Sequence, residues 1–449
     1  MKNISVIILA AGKGTRMKSS LPKVMHKVAS REMINLVIDE AKKLAPNEIS
    51  IVVSEDFKHY RNEIVDKHKN SKISFALQKV RKGTADAVKI GIKSLKKTSD
   101  KILILYGDTP LIHQKTLLAM IEKIDDGSCL CVLGFETKDE NMYGRLVLDV
   151  NGNLEKIIEF KDASSKEKHI SLCNSGVIAV KTSTLKTLIS QVKNNNASKE
   201  FYLTDIVAIA RKQKLKCGFI KTNEDEVLGV NSRIELSRIE NIKQNELRRK
   251  HMEQGVTLIS PETNYFSFDT EIASDVVIQP NVYFGKNVVI ESGAEIKSFS
   301  YIEGAKIGSN SIIGPFARIR PETIIAHDCK IGNFVEIKNS FIKKNSKINH
   351  LSYVGDSMVG TDVNIGAGVI TCNYDGYNKY KTEIEDGVFV GSNSALIAPV
   401  LIKKGAIIGA GSVVTKNVAP HDLAIARSKQ VNIKNGAKKV RSKNNKKSK

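Results

Sequence analysis

The run Leu9-Ala10-Ala11-Gly12-Lys13-Gly14-Thr15-Arg16-Met17 leaves an apolar segment, Ile4–Leu9, that reads as a buried strand. Glycines at such an exit let backbone amides close on a phosphate, and Lys13 and Arg16 add positive charge. The dinucleotide fingerprint wants a third glycine where Met17 stands, so NAD binding is disfavoured. Pro22-Lys23 brings another cation near the same loop. Tyr106-Gly107-Asp108 ends a second apolar run and sets a carboxylate at a strand exit. Beside a phosphate loop that carboxylate suits Mg²⁺, which takes one or two carboxylates plus substrate phosphates. Far along the chain, His350 stands third in Ile348-Asn349-His350-Leu351-Ser352-Tyr353, a position that packing does not require. An imidazole titrates near neutrality and suits proton transfer. Arg320 and Lys338, two basic groups in the same region, suit a phosphate. Plainer readings stand beside these: a tight turn with surface lysines, an Asp that caps a loop, a histidine that is only surface.

The first half of the chain alternates strand-like and helix-like segments. Apolar runs at Ile4–Leu9, Ile49–Val53, Ile73–Leu77 and Ile102–Leu105 are separated by amphipathic stretches around Met33–Leu44, Phe57–Lys67 and Ala85–Leu95. This predicts a Rossmann-like, mostly parallel α/β sheet, with ligands outside the carboxyl ends of its strands. Ser232-Arg233-Ile234-Glu235 is a capping-box pattern and Gly255 a stop, so a connecting helix lies between them. The second half repeats an aliphatic residue every sixth position, from Ile278, Phe284, Ile290 and Ile296 through Ile331 and Ile337 to Ile408 and Val414. Neither a helical period nor simple alternation produces that spacing. Hexads of strand plus turn, roughly three to a coil, predict a parallel β-helix with the aliphatic heads inside and the other positions outside. The period breaks between Thr371 and Ile384, where Cys372-Asn373-Tyr374-Asp375-Gly376 opens an inserted loop.

A chain of 449 residues, 41% hydrophobic, accommodates two or three globular domains. The net charge of +22 suits anionic small molecules. No stretch is long enough to cross a membrane. The end from Lys434 to Lys449 carries eight basic residues and no acid, which predicts a disordered arm. Six cysteines (Cys129, Cys131, Cys173, Cys217, Cys329 and Cys372) form no metal-ligand spacing and read as reduced thiols of a cytosolic protein. Cys129 and Cys131 alternate in an apolar run and are expected on one face of a strand.

Added to the loop, Lys23 and Asp108, the short motifs Gln78…Gly83-Thr84, Tyr143-Gly144-Arg145, Glu159, Asn174-Ser175-Gly176 and Asn231 resemble, in order, the sugar-1-phosphate nucleotidyltransferases. From about Ile4 to Arg427 the chain is similar to the bacterial family of bifunctional N-acetylglucosamine-1-phosphate uridylyltransferases/glucosamine-1-phosphate acetyltransferases. The resemblance implies an α/β nucleotidyltransferase domain (1–228), a linker helix (229–249), a left-handed hexapeptide β-helix (250–428) and a basic tail (429–449). The left hand comes from the resemblance alone, because the crossover rule for parallel strands would give the other. It further implies that Leu9, Ala10, Ala11, Gly12, Arg16, Lys23, Gln78, Gly83, Thr84, Tyr106 and Gly107 hold UTP. Gly144, Glu159, Asn174 and Asn231 would grip N-acetylglucosamine-1-phosphate, and Asp108 with Asn231 would hold Mg²⁺. In the second half His350 would be the general base. Arg320, Lys338, Tyr353 and Asn364 would bind glucosamine-1-phosphate, and Ala367, Asn373, Tyr374, Ser392, Ala410 and Arg427 acetyl-CoA. The product would be UDP-N-acetylglucosamine for peptidoglycan and lipopolysaccharide synthesis. The expected setting is a cytoplasmic homotrimer with active sites between subunits, binding no membrane and no nucleic acid. The alternatives are a nucleotidyltransferase whose β-helix only assembles it, and an interaction protein resembling translation-factor exchange subunits.

Overall fold

Strand β1 (Ile4–Ala10) is buried along its whole length because strands flank it on both edges and helices cover both faces. Ile4, Val6 and Ile8 turn into one apolar cluster and Ile7 and Leu9 into another, which is why the run is continuously apolar rather than alternating. In the computed structural model, which describes residues 3–96, 99–137 and 141–445, the contacts divide the chain into two units, Met1–Glu246 and Leu247–Lys449. In the first unit, strands β2 (Glu48–Val53), β3 (Ile73–Leu77) and β4 (Lys101–Tyr106) join β1 in parallel, in the order β4-β1-β2-β3. Strands β5 (Leu130–Glu136), β6 (Arg145–Leu148), β7 (Leu154–Ile158), β8 (Leu172–Lys181) and β9 (Cys217–Thr222) complete the sheet. β8 runs antiparallel between β4 and β5, and β9 pairs with β5 in parallel. The expected mostly parallel α/β sheet is therefore present, with β6 and β7 forming an antiparallel ribbon beside β8. Helices α1 (Met33–Lys42) and α2 (Thr84–Ser94) fall where the amphipathic stretches predict them.

Cys129 and Cys131 do not share a face. Strand alternation begins only at Leu130, so Cys131 joins Leu133 and Phe135 on one side while Cys129, still in the turn, packs with Leu130 and Val132 on the other. There it meets the Cys217 thiol. All six cysteines are free thiols.

Helix α3 (Arg233–Glu253) starts and stops as its ends dictate. The Glu235 amide donates to Ser232 Oγ at 3.2 Å and the Ser232 amide to Glu235 Oε2 at 2.8 Å, closing the capping box. At the other end Gly255 takes φ 88°, and the amides of Gly255 and Val256 return to the carbonyls of Met252 and His251.

The second unit is a parallel β-helix. Among the described residues its short strands form three sheets of ten, eight and eight strands, each paired only with the strand one coil before and one coil after. The heads run in register: Ile278 pairs with Ile296, then Ile313, Ile331, Ile348, Ile365, Val390 and Ile408. All are buried. Two sequence expectations are corrected here. The small and β-branched residues two places before each head, such as Val282, Ala294, Ser311, Ala317, Cys329 and Val335, also line the interior, because residues two apart on an extended segment share a face, as in Thr323–Ile325, where Ile324 is exposed between two buried neighbours. Stacking also begins earlier than Ile278: Thr257–Leu258 already pairs with Val277–Ile278, and Phe266 stacks on Phe284 with ring centroids 5.1 Å apart. The basic end, expected to be disordered, carries a helix over Gly436–Asn445, consistent with the helix propensity of its Ala, Lys and Arg residues. Its last four residues lie outside those described. No helix among the described residues is long and apolar enough to cross a membrane.

His251, in the last turn of α3, is fully buried against Phe266 at 4.9 Å, and neither ring nitrogen finds a partner among the described residues. Burial first, and the Lys250 ammonium second, hold its pKa down to about 4. An unfolded histidine titrates near 6.5, so above that pH neither state carries the proton. Below it the unfolded chain gains a proton that the folded chain refuses, and stability falls until about pH 4. On moving from pH 8 to pH 5, His251 should cost the fold roughly 2 kcal/mol. Chemical denaturation at the two pH values should show that increment in the native chain and lose it in His251→Phe; an equal pH slope in both would refute the assignment.

Candidate active sites

Strand exits at the carboxyl edge of the first sheet surround a cavity of about 290 Å³. It is lined by Leu9, Ala10, Ala11 and Gly12 from the exit of β1, Gln78, Gly83 and Thr84 from the segment joining β3 to α2, and Tyr106 and Asp108 beyond β4. Lys23 enters from a short turn, Lys23–Met25. Of the residues expected at the nucleotide, Arg16 and Gly107 are not part of this lining. Arg16 lines the adjoining cavity, and Gly107 serves by its amide, which donates to the Leu9 carbonyl at 3.0 Å and ties the exits of β4 and β1 together. The adjoining cavity, about 650 Å³, holds Gly144, Glu159, Asn174 and Asn231 and shares Tyr106 and Asp108 with the first. Gly83 takes φ +115°, and a Cβ there would lie 2.5 Å from the Phe201 carbonyl oxygen. That close approach pins the loop: the Ala85 amide donates to Phe201 and the Phe201 amide to Lys82.

Lys23 is the electrostatic centre of this edge. Its ammonium donates to Asp108 Oδ2 in a short contact and to Asn231 Oδ1 at 3.1 Å, and the ion pair is largely shielded from solvent. The Val230 amide donates to the Asp108 carbonyl at 3.0 Å, which brings Asn231 to the same point. Two oxygen donors thus already converge on one cation, a donor set that fits a hard divalent ion completed by phosphates. Among the described residues no group of three or more His, Cys, Asp or Glu side chains forms a metal cage. Burial raises the Glu159 pKa, partly opposed by the Thr204 hydroxyl that donates to it at 3.0 Å. Sequence reasoning missed Arg81, whose Nε donates to the Ala11 carbonyl at 2.7 Å and which lines the first cavity; its place in the Gln78–Gly83 run was the available signal.

In the second unit the expected residues fall into two groups. His350 is exposed at the corner following Ile348, with Nδ1 2.8 Å from Asn333 Oδ1. If the amide oxygen accepts, Nδ1 carries the proton and Nε2 offers a lone pair. The same corner recurs coil by coil: the His350 carbonyl accepts from Gly368, that of Ala367 from Asn393, and that of Ser392 from Gly411. Arg427 closes the file by donating to the Ala410 carbonyl. His350, Ala367, Ser392, Ala410 and Arg427 therefore lie along one edge. A pocket of about 450 Å³ lined by Lys297, Lys330, Asn333 and His350 opens beside its start.

Arg320, Lys338 and Tyr353 stand on the next sheet. Arg320 pairs with Glu336 at 2.7 Å, Lys338 faces Asp356 at 3.5 Å, and the Tyr353 hydroxyl and Asn373 amide both lie over Gly355. Asn373 also donates to Asp356. Tyr374 bridges to Lys379 across the inserted loop, which brings Lys379 against Lys338. That contact pushes the Lys379 pKa below the usual lysine range. Lys379 is a second residue the sequence reading missed. Two ammonium groups in contact beside Arg320 form a site that an anion would relieve. Asn364 projects from a third position, in register with Lys347 on the sheet of His350, so one chain does not gather all four sugar-phosphate residues at one point.

Residues 5–225 match the Nucleotidyl transferase family model, and residues 309–433 match a model described as GMPPB C-terminal domain. The chain is 47% identical over 448 residues to the Bifunctional protein GlmU of Zymomonas mobilis subsp. mobilis, covering 99% of each chain. It is 46% identical to the protein of that name from Bartonella quintana, with 98% of each covered. With the Wolbachia pipientis wMel protein it shares 44% identity over 96% of this chain and 98% of the relative. Identity at this level, sustained through both the nucleotidyltransferase sheet and the β-helix, means that the chain belongs to the GlmU family of bifunctional proteins.

Proposed function

We propose that this chain makes UDP-N-acetylglucosamine in two steps: acetyl transfer to glucosamine-1-phosphate at the β-helix, then UMP transfer to the product in the N-terminal unit. The observation that carries the second step is the pair of adjoining cavities meeting at Tyr106 and Asp108, one behind the glycine loop and one around Glu159 and Asn174. UTP in the first and the sugar phosphate in the second would bring the attacking phosphate oxygen to the α-phosphorus. A P–O bond forms as the bond to the β-phosphate breaks, and pyrophosphate leaves. Such a transfer needs positioning and charge neutralisation more than covalent catalysis. Lys23 and Arg16 supply fixed positive charge, and Glu159 and Asn174 orient the sugar. Asp108 and Asn231 would hold Mg²⁺, which supplies further neutralisation of the phosphates when bound.

For the first step, His350 Nε2 takes a proton from the substrate amine, whose nitrogen attacks the thioester carbonyl. The C–S bond then breaks and coenzyme A leaves as the thiol. Asn333 holds the imidazole with Nε2 free. The Ala367–Ser392–Ala410–Arg427 file extends from His350 by four coil steps, on the order of 19 Å at about 4.8 Å each, a length that suits the extended arm of coenzyme A. The Ser392 region is the candidate oxyanion stabiliser. Arg320, Lys338 and Tyr353 suit the sugar phosphate, while the outlying Asn364 supports a site completed by a second copy in a homotrimer. A β-helix used only for assembly has no use for the Asn333–His350 pair or for the Lys338–Lys379 contact. We assign residues 1–228 to the uridylyltransferase, 229–249 to the linker helix, 250–428 to the acetyltransferase and 429–449 to a basic tail, in a cytoplasmic enzyme.

Incubating the purified chain with glucosamine-1-phosphate, acetyl-CoA, UTP and Mg²⁺ should yield UDP-N-acetylglucosamine; its absence would reject the proposal. His350→Ala should slow thiol release from acetyl-CoA by about 100-fold or more while pyrophosphate release from N-acetylglucosamine-1-phosphate persists. Acetyl transfer that survived this change would remove His350 as the base. Asp108→Ala should do the converse, lowering Mg²⁺-dependent pyrophosphate release by about 100-fold or more. Unchanged release in that variant would take Asp108 out of the metal site.

A further inference from the structure

We infer that Asp86 is a positioning residue that sets nucleobase choice, by fixing which end of the Gln78 amide faces the ligand. The inference rests on the reading of the first cavity as the nucleotide site. Gln78 follows β3 directly, is buried, and lines that cavity. Its Nε2 donates to Asp86 Oδ2 at 2.9 Å and to the Gly83 carbonyl at 3.3 Å. Both partners are pure acceptors, so only the amino end of the amide can face them, and both of its hydrogens are used. A flipped amide would set its own oxygen against a carboxylate and a carbonyl in a poorly solvated place, a strongly unfavourable arrangement. Among the described residues no donor meets Oε1. Asp86, in the first turn of α2, therefore makes Gln78 present an acceptor to whatever enters.

An acceptor fixed at that point reads a ring N–H. Uracil offers one at N3 between its two carbonyls. Cytosine, the same size and shape, carries a lone pair at N3 and would face oxygen with nitrogen, both unpaired and repelling; adenine has the same fault at N1. Sites built around one hydrogen bond reject an analogue that cannot make it far more strongly than apolar pockets reject a missing methylene. A purely local role for Asp86 is the alternative, since an acid in a first helical turn also favours the helix N-terminus. That role would affect all nucleotides alike.

The test compares kcat/KM for UTP and CTP, read as pyrophosphate release with N-acetylglucosamine-1-phosphate, in the full chain and its Asp86→Ala, Asp86→Asn and Asp86→Glu variants. Acetyl transfer by the same preparations reports folding. The native chain should favour UTP by about 100-fold or more. Asp86→Ala should shrink that ratio at least about tenfold, mainly through a higher KM for UTP, the size expected for one hydrogen bond to a buried group. Asp86→Asn keeps the shape but can pair with either end of Gln78, so it should relax the ratio too, and it decides the matter if the alanine variant fails to fold. Asp86→Glu should recover part of the preference. Variants that keep the native ratio, or lose UTP and CTP in equal proportion, would overturn the role given to Asp86. A native chain that uses CTP as well as UTP would instead overturn the uridine reading of the cavity, and this inference with it.

Discussion

In the second unit every strand must find its hydrogen-bond partners one coil away, and that requirement fixes where everything else can stand. Because Ile313 pairs with Ile331 and Ile331 with Ile348, any residue at a given place in the hexad lies directly over its counterpart in the next coil. Inside, the rule produces continuous files of aliphatic side chains, each contributing roughly 1.5–3 kcal/mol when fully buried. Outside, the same rule produces files of functional groups at a constant spacing. The corner that carries Asn333 and His350 goes on to carry Ala367, Ser392 and Ala410 without any loop having to be shaped for the purpose. A substrate lying along that edge meets a backbone whose geometry is set by the core behind it.

The first unit solves positioning differently. Its ligand edge gathers the exits of three strands, and the contacts that hold them together are few and polar. The Gly107 amide ties β4 to β1, the Val230 amide ties the segment bearing Asn231 to Asp108, and the Lys23 ammonium links Asp108 to Asn231. Gly83 and Phe201 close the remaining side by backbone hydrogen bonds alone. Each tie joins residues far apart in sequence, so the site exists only once the sheet has formed. The apolar run of β1, buried on both faces, is what makes that sheet form around it.

Much of this was legible in the residues. The six-residue period announced the β-helix because it has no helical or simple strand explanation, and the glycine loop with Lys23 and Asp108 announced the ligand edge because motifs at strand exits have a defined place in α/β sheets. The first coil was hidden because Leu258 and Phe266 stand eight apart and one head is aromatic. The inward small residues were misplaced because giving each hexad one inward position overlooks strand alternation, which turns residues two apart to the same side. Cys129 was misjudged by carrying alternation one residue past the end of a strand. Arg81, Asp86 and Lys379 escaped notice for a common reason: each acts through a partner that local pattern does not reveal. Asp86 faces Gln78 across a loop, and Lys379 reaches Lys338 only because the inserted segment folds back between Tyr374 and itself.

The two sites face one electrostatic problem, the binding of multiply charged phosphates, with different resources. In the first unit Lys23 is paired with Asp108, and the half-buried Glu159 nearby has its pKa raised. With Lys23 shared in this way, Arg81 and Arg16 still leave a triphosphate incompletely neutralised, which is why a donor set able to hold a further cation makes sense there. On the β-helix Arg320, Lys338 and Lys379 outnumber Glu336 and Asp356, and the neighbouring Lys338 ammonium holds the Lys379 pKa below the usual lysine range. A monophosphate arriving there finds an excess of positive charge already in place and relieves a repulsion as it binds. A site of that kind has no need of a metal, so removal of divalent cations should separate the two halves of the enzyme along the same line that their folds do.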